Sequence, residues 1–159
     1  MLLVVYGTLR EGEALSSLLN HLRHRSVIEI IDIPLELYVV GECPGAKLPG
    51  LIRKGEPIRK MATVELWDIN ISKKQEDQEL VYLDLVERVK EQLYQRSVIS
   101  TPKGKAWVYT YVPGTIGCTR IYDWKEYQAL ADETKFSSME SMIKNSGFVI
   151  TSTKHTYNA

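Results

Sequence analysis

The chain has 159 residues, enough for one domain of ordinary size with a proper core. Hydrophobic residues make up 44% and charged residues 25%, and 20 Lys plus Arg against 20 Asp plus Glu leave no basic excess to attract nucleic acid. Cys43 and Cys118 stand far apart in no metal-ligand spacing, which argues against a disulfide framework or a zinc site, and no run of 18 apolar residues suggests a membrane span.

Leu2 to Tyr6 is a continuous apolar stretch stopped by Gly7-Thr8. It has no basic flank and no small-residue cleavage site, so it reads as a buried strand rather than a signal peptide, and the expected compartment is the cytoplasm. From Ala14 to Leu22, the spacing of Leu15, Leu18, Leu19 and Leu22 predicts an amphipathic helix whose cationic end suits the helix dipole. Val27 to Val40 is β-branched and interrupted by Pro34, giving two strands or one bent strand with the proline at an edge or bulge. Gly41 to Lys60 holds Pro44-Gly45, Pro49-Gly50 and Gly55-Glu56-Pro57, and reads as loop.

Met61 to Ile69 is a further strand. Lys73 to Lys90 is a charged helix with Leu80, Leu83 and Glu87 roughly in phase. Leu93 to Thr101 and Lys105 to Val112 flank Pro102-Lys103-Gly104, a hairpin signal. In the second strand Trp107, Tyr109 and Tyr111 share one face, suited first to packing and then to lining a pocket. A helix follows from about Tyr122 to Ala131, and Ser137 to Ala159 is polar and weakly patterned. These elements predict an α+β fold: a small mixed or antiparallel sheet, closing towards a barrel, with flanking helices. The domain is expected over residues 1–130, with residues 131–159 as a C-terminal extension.

Two places could carry chemistry. Tyr6-Gly7-Thr8-Leu9-Arg10 joins a strand to a helix, and successive amides in such a turn can hold a carboxylate or an oxyanion. The same residues also fit a plain strand-to-helix turn. Glu87 lies beside Leu80 and Leu83, where lost hydration would raise its pKa and suit it to accept a proton. It also fits a helix-end carboxylate paired with Arg88, Lys90 or Arg96. His21, His24 and His155 form no ligand cluster with acidic or cysteine residues, so no metal site is expected.

Three segments in order carry a resemblance. Tyr6-Gly7-Thr8-Leu9 looks like the Y-G-[ST]-L loop of the gamma-glutamylcyclotransferase-like family, which includes AIG2-like proteins and gamma-glutamylamine cyclotransferases. Leu83-Asp84-Leu85-Val86-Glu87 with Tyr94 and Arg96 resembles its L-D-x-x-E…Y-x-R segment, and Ala106 to Tyr111 its A-W-V-Y-x-Y strand. Asp123-Trp124 matches the end of its G-D-W element, and the likeness spans about residues 1–127.

The resemblance implies a closed or nearly closed barrel, no cofactor, and a small gamma-glutamyl amine or amino acid as substrate. It implies Glu87 as catalytic base, with Tyr6, Gly7, Thr8, Leu9, Tyr94 and Tyr109 as substrate-binding residues. A non-catalytic module holding a small metabolite or peptide end on the same fold is the alternative. Arg88 stands where the family commonly has glycine. Turned inward it would pair with Glu87 and hold that carboxylate ionised. Solvent is the expected direction, because a guanidinium is seldom buried beside an apolar stripe without several partners.

Overall fold

In a computed structural model of the chain, residues 1–13, 15–50, 55 and 61–131 are described. Ala14, most of 51–60 and all of the expected extension after Ala131, with His155, lie outside the described residues.

Eight strands among the described residues make two sheets: β1 (Leu2–Val5), β2 (Ser26–Ile33), β3 (Glu36–Val40), β4 (Cys43–Lys47), β5 (Ala62–Ile69), β6 (Tyr94–Thr101), β7 (Gly104–Tyr111) and β8 (Thr119–Ile121). The larger has the order β2-β5-β1-β7-β6 and the smaller β4-β3-β8, so the sheet does not close into a barrel. Every pairing is antiparallel except β1 with β7, where Leu3 stands opposite Trp107. The α+β reading holds, in two sheets rather than one.

The unbroken apolar run of β1 follows from its central place, covered on both faces. Val4 packs between the sheets with Leu37, Leu66, Val108 and Trp124. Leu3 and Val5 pack on the other face with Leu19, Leu22, Trp67, Leu83 and Tyr109. The alternation expected along β7 sends Ala106 and Val108 to the first core and Tyr109 to the second, with Trp107 packed at its margin.

Pro34 separates β2 and β3 and lets them join different sheets. The expected helix from Ala14 is a 3-10 turn (Ser16–Leu19) followed by one α-helical turn, α1 (Asn20–Arg23). No side chain caps either start, and the Leu15 amide bonds back to the Thr8 carbonyl at 2.9 Å, which draws the preceding chain into the loop.

Part of the expected 41–60 loop is β4, an edge strand in which Pro44 gives up no central ladder bond. Gly45 is needed there because a Cβ would stand 3.0 Å from the Tyr111 side chain. A last helix, α3 (124–131), starts after Asp123, whose carboxylate accepts from the Lys125 amide at 3.0 Å. Among the described residues no helix is long and apolar enough to cross a membrane.

Candidate active site

Helix α2 (Lys73–Val86) sets the position of Glu87 from its first residue. Ser72 Oγ accepts from the Gln75 amide and Gln75 Oε1 accepts from the Ser72 amide, a reciprocal cap that fixes where the helix begins. Leu80 and Leu83 are buried and hold its inner face. The helix was expected to run to Lys90, but it stops at Glu87, whose amide donates to the Leu83 carbonyl at 2.9 Å. The reason is Arg88, which takes the left-handed conformation at φ 55° and breaks the helical path. The same turn carries its guanidinium away from Glu87: Arg88 Nε pairs with Glu91 Oε2 at 3.2 Å, and the side chain is 64% exposed.

The loop after β1 is fixed from below and from both ends. Tyr6 donates its hydroxyl proton to the Tyr109 carbonyl at 2.6 Å. Gly7 is required by close approach: a Cβ would lie 2.2 Å from Pro44 Cγ. The Gly7 and Thr8 carbonyls accept from the Arg10 and Leu15 amides, each at 2.9 Å. Among the described residues, nothing accepts from the amides of Gly7, Thr8 or Leu9.

Arg10, 2% exposed, ties the loop to the rest of the protein. Its guanidinium meets Glu65 at 3.5 Å and Asp123 at 2.8 Å. Glu65 also accepts from the Glu11 amide at 3.0 Å and from Trp67 Nε1 at 3.3 Å.

A cavity of about 450 Å³ opens between this loop and the end of α2. Glu87, Tyr6, Gly7, Thr8, Leu9, Tyr94 and Tyr109 all line it, so the geometry brings every sequence-predicted site residue to one space. Burial pushes the Glu87 carboxyl up from 4.5 to about 7. No hydrogen bond or ion pair to its side chain occurs among the described residues. Arg88 is engaged by Glu91, and Arg96 by Asp84 at 3.6 Å and by the Trp107 ring at 5.2 Å.

The tyrosines are anchored as well. Tyr94 donates to the Pro44 carbonyl at 2.7 Å, and its ring meets Tyr111 edge-on at 5.5 Å. Tyr109 donates to Asp84 Oδ1 at 2.6 Å. Burial, with smaller contributions from neighbouring carboxylates, raises the pKa of both phenols. The cavity lining therefore combines a carboxylate and a loop whose amides, among the described residues, have no partner.

Sequence reasoning gave no role to four residues that build the site. Asp84 stands three residues before Glu87 on the same helix, and that spacing was the signal for it. Pro44 and Cys43 reach the cavity from β4, which the Pro-Gly pair disguised as loop. Arg10 sits in the loop motif, but its partners at 65 and 123 are joined only by the fold. His21 pairs with Glu79 at 2.8 Å, and no group of three His, Cys, Asp or Glu among the described residues is placed to hold a metal.

No curated protein matches the chain. Among solved structures it is similar to protein ytfP from Escherichia coli, with 27% identity over 77% of this chain and 93% of that one, and a TM-score of 0.54. It is also similar in fold to the uncharacterized protein PH0828 from Pyrococcus horikoshii, with 20% identity over 84% and 97% of the two chains and a TM-score of 0.54. The family described as gamma-glutamyl cyclotransferase, AIG2-like, matches residues 3–133, a stretch that holds every described strand but for Leu2 of β1, and the whole cavity lining. The chain belongs to that family.

Proposed function

We propose that the protein is a gamma-glutamyl cyclotransferase, converting a gamma-glutamyl amine or amino acid to 5-oxoproline and a free amine. Glu87 takes a proton from the α-ammonium of the glutamyl group. The freed amine attacks the γ-carbonyl carbon of the same molecule, closing a five-membered ring and placing negative charge on the carbonyl oxygen. Amides of the Gly7–Leu9 loop stabilise that oxyanion. As the tetrahedral carbon collapses, the bond to the leaving nitrogen breaks and Glu87 returns its proton there. The second proton shed by the ring nitrogen leaves the amine as an ammonium ion. Because nucleophile and electrophile are tethered, holding them in one geometry supplies much of the rate, and no cofactor takes part.

The observation that carries this reading is Glu87 itself, a carboxylate with no partner among the described residues and a pKa of about 7, in the same cavity as loop amides that are likewise unengaged there. Such a base is half ionised near neutrality, where proton transfer is most effective. The test is release of 5-oxoproline from a panel of gamma-glutamyl amines and amino acids, read by liquid chromatography. Activity that rises with pH through about 7 and disappears in Glu87→Gln supports the reading. Binding of gamma-glutamyl compounds without product would turn it into the non-catalytic module.

A further inference from the structure

Two phenols of the cavity, Tyr94 and Tyr109, have their protons already committed. Tyr109 gives its single hydroxyl proton to Asp84 at 2.6 Å, and Tyr94 gives its own to the Pro44 carbonyl at 2.7 Å. A phenol whose proton is engaged elsewhere can only accept from a ligand. Glu87, an acceptor when ionised, lines the same cavity as these two rings.

We infer that Asp84 is a positioning residue that fixes the polarity of this wall: by taking the Tyr109 proton it leaves Tyr109 Oη as an acceptor, and with Tyr94 Oη and Glu87 the wall admits an ammonium group. Three acceptors match the three N–H bonds of one primary ammonium. The inference rests on the proposed substrate having a free α-ammonium, and it adds a residue that touches no substrate atom.

Asp84 suits the task better than a neutral acceptor would. Its other oxygen pairs with Arg96 at 3.6 Å, and Arg96 is backed by the Trp107 ring, whose Nε1 donates to Glu76 at 3.0 Å. The chain of partners runs from α2 to β6 and β7 and back, so the carboxylate is held in place from behind. In Asp84→Asn the side-chain amide can donate to Tyr109 Oη. The phenol proton is then free to turn towards the cavity, where it opposes an ammonium.

The experiment compares two ligands that cannot cyclise: L-methionine sulfone, which keeps the α-ammonium and a tetrahedral centre at the γ-carbonyl position, and 4-(methylsulfonyl)butanoate, which lacks only the ammonium. Affinities are measured by calorimetry for wild type, Asp84→Asn and Tyr109→Phe, with 5-oxoproline release followed in parallel. Wild type is expected to prefer the ammonium ligand by about tenfold or more, the scale of hydrogen bonds to a charged group. Asp84→Asn and Tyr109→Phe should each lose most of that preference while binding the butanoate about as well as wild type. Together they should lose no more than either alone.

Rescue of the preference in Asp84→Glu supports the role, since it restores an acceptor. If Asp84→Asn does not fold, Tyr109→Phe still decides, because it removes only the hydroxyl. A wild type without the preference, or substitutions that weaken both ligands equally, overturns the inference. A wild type that shows the preference but releases no 5-oxoproline overturns the cyclotransferase reading and leaves this inference standing.

Discussion

Glu87 joins reactivity to instability. Its carboxyl titrates near 4.5 when solvated and near 7 in the folded protein, so the folded state binds more protons between those values. The buried acid therefore favours folding fully below the lower value, and this contribution is lost as pH rises through about 7. After discounting for partial exposure, the loss is about 2 kcal/mol. Glu87→Gln is thus expected to lower turnover by roughly 10²–10⁴-fold while unfolding in denaturant at pH 8 becomes about 2 kcal/mol harder, a gain that shrinks towards pH 5. A glutamate kept for stability would give the opposite sign at pH 8. Its neighbour carries a separate strain. Arg88 sits at φ 55°, a conformation costing a non-glycine residue about 1–2 kcal/mol, and its exposed pair with Glu91 returns little. Arg88→Gly is expected to raise stability by about 1 kcal/mol in a denaturant titration and to leave 5-oxoproline release unchanged.

The elements that aim these residues are set by short local devices. Ser72→Ala removes the side-chain half of the cap of α2, leaving the Ser72 amide to donate to Gln75, and should cost about 1 kcal/mol, measured by denaturant unfolding. Gly7→Ala puts a methyl group 2.2 Å from Pro44 Cγ, so the loop or β4 must move. A loss of about 1–3 kcal/mol in stability is expected, with reduced product release as the amides shift. What could be read from sequence follows the same division. The apolar run of β1, the hairpin between β6 and β7 and the helical phase of Leu80 and Leu83 are short-range patterns, and all three appear in the fold. The end of α2 was not legible, because only the left-handed backbone at Arg88 stops it. The strand at Cys43–Lys47 was hidden because its Pro44-Gly45 pair answers to Gly7 and Tyr111, residues far away in the chain. The site was legible where the motif residues themselves line the cavity, and illegible where they are held by others, as Tyr109 is by Asp84.

At the scale of the molecule, one buried guanidinium links the loop after β1, strand β5 and the start of α3 through Glu65 and Asp123. Removing one member of such a buried group strands the others without water. Arg10→Met is expected to destabilise the protein by about 3 kcal/mol, seen as a lower denaturant midpoint, and to loosen the loop that carries the amides. The parallel pairing of β1 with β7 has a consequence for how the chain is made. Strand β1 finds its second neighbour only after residue 104 has been synthesised. Until then β1 pairs with β5 on one side and presents an open row of amides and carbonyls on the other, in an apolar strand that would adhere to its like. A nascent chain halted ahead of the last hairpin therefore lacks Tyr94 and Tyr109 and also bares its most adhesive edge. Solubility and a complete cavity arrive in the same late step of synthesis, and no shorter version of this protein should be able to keep one without the other.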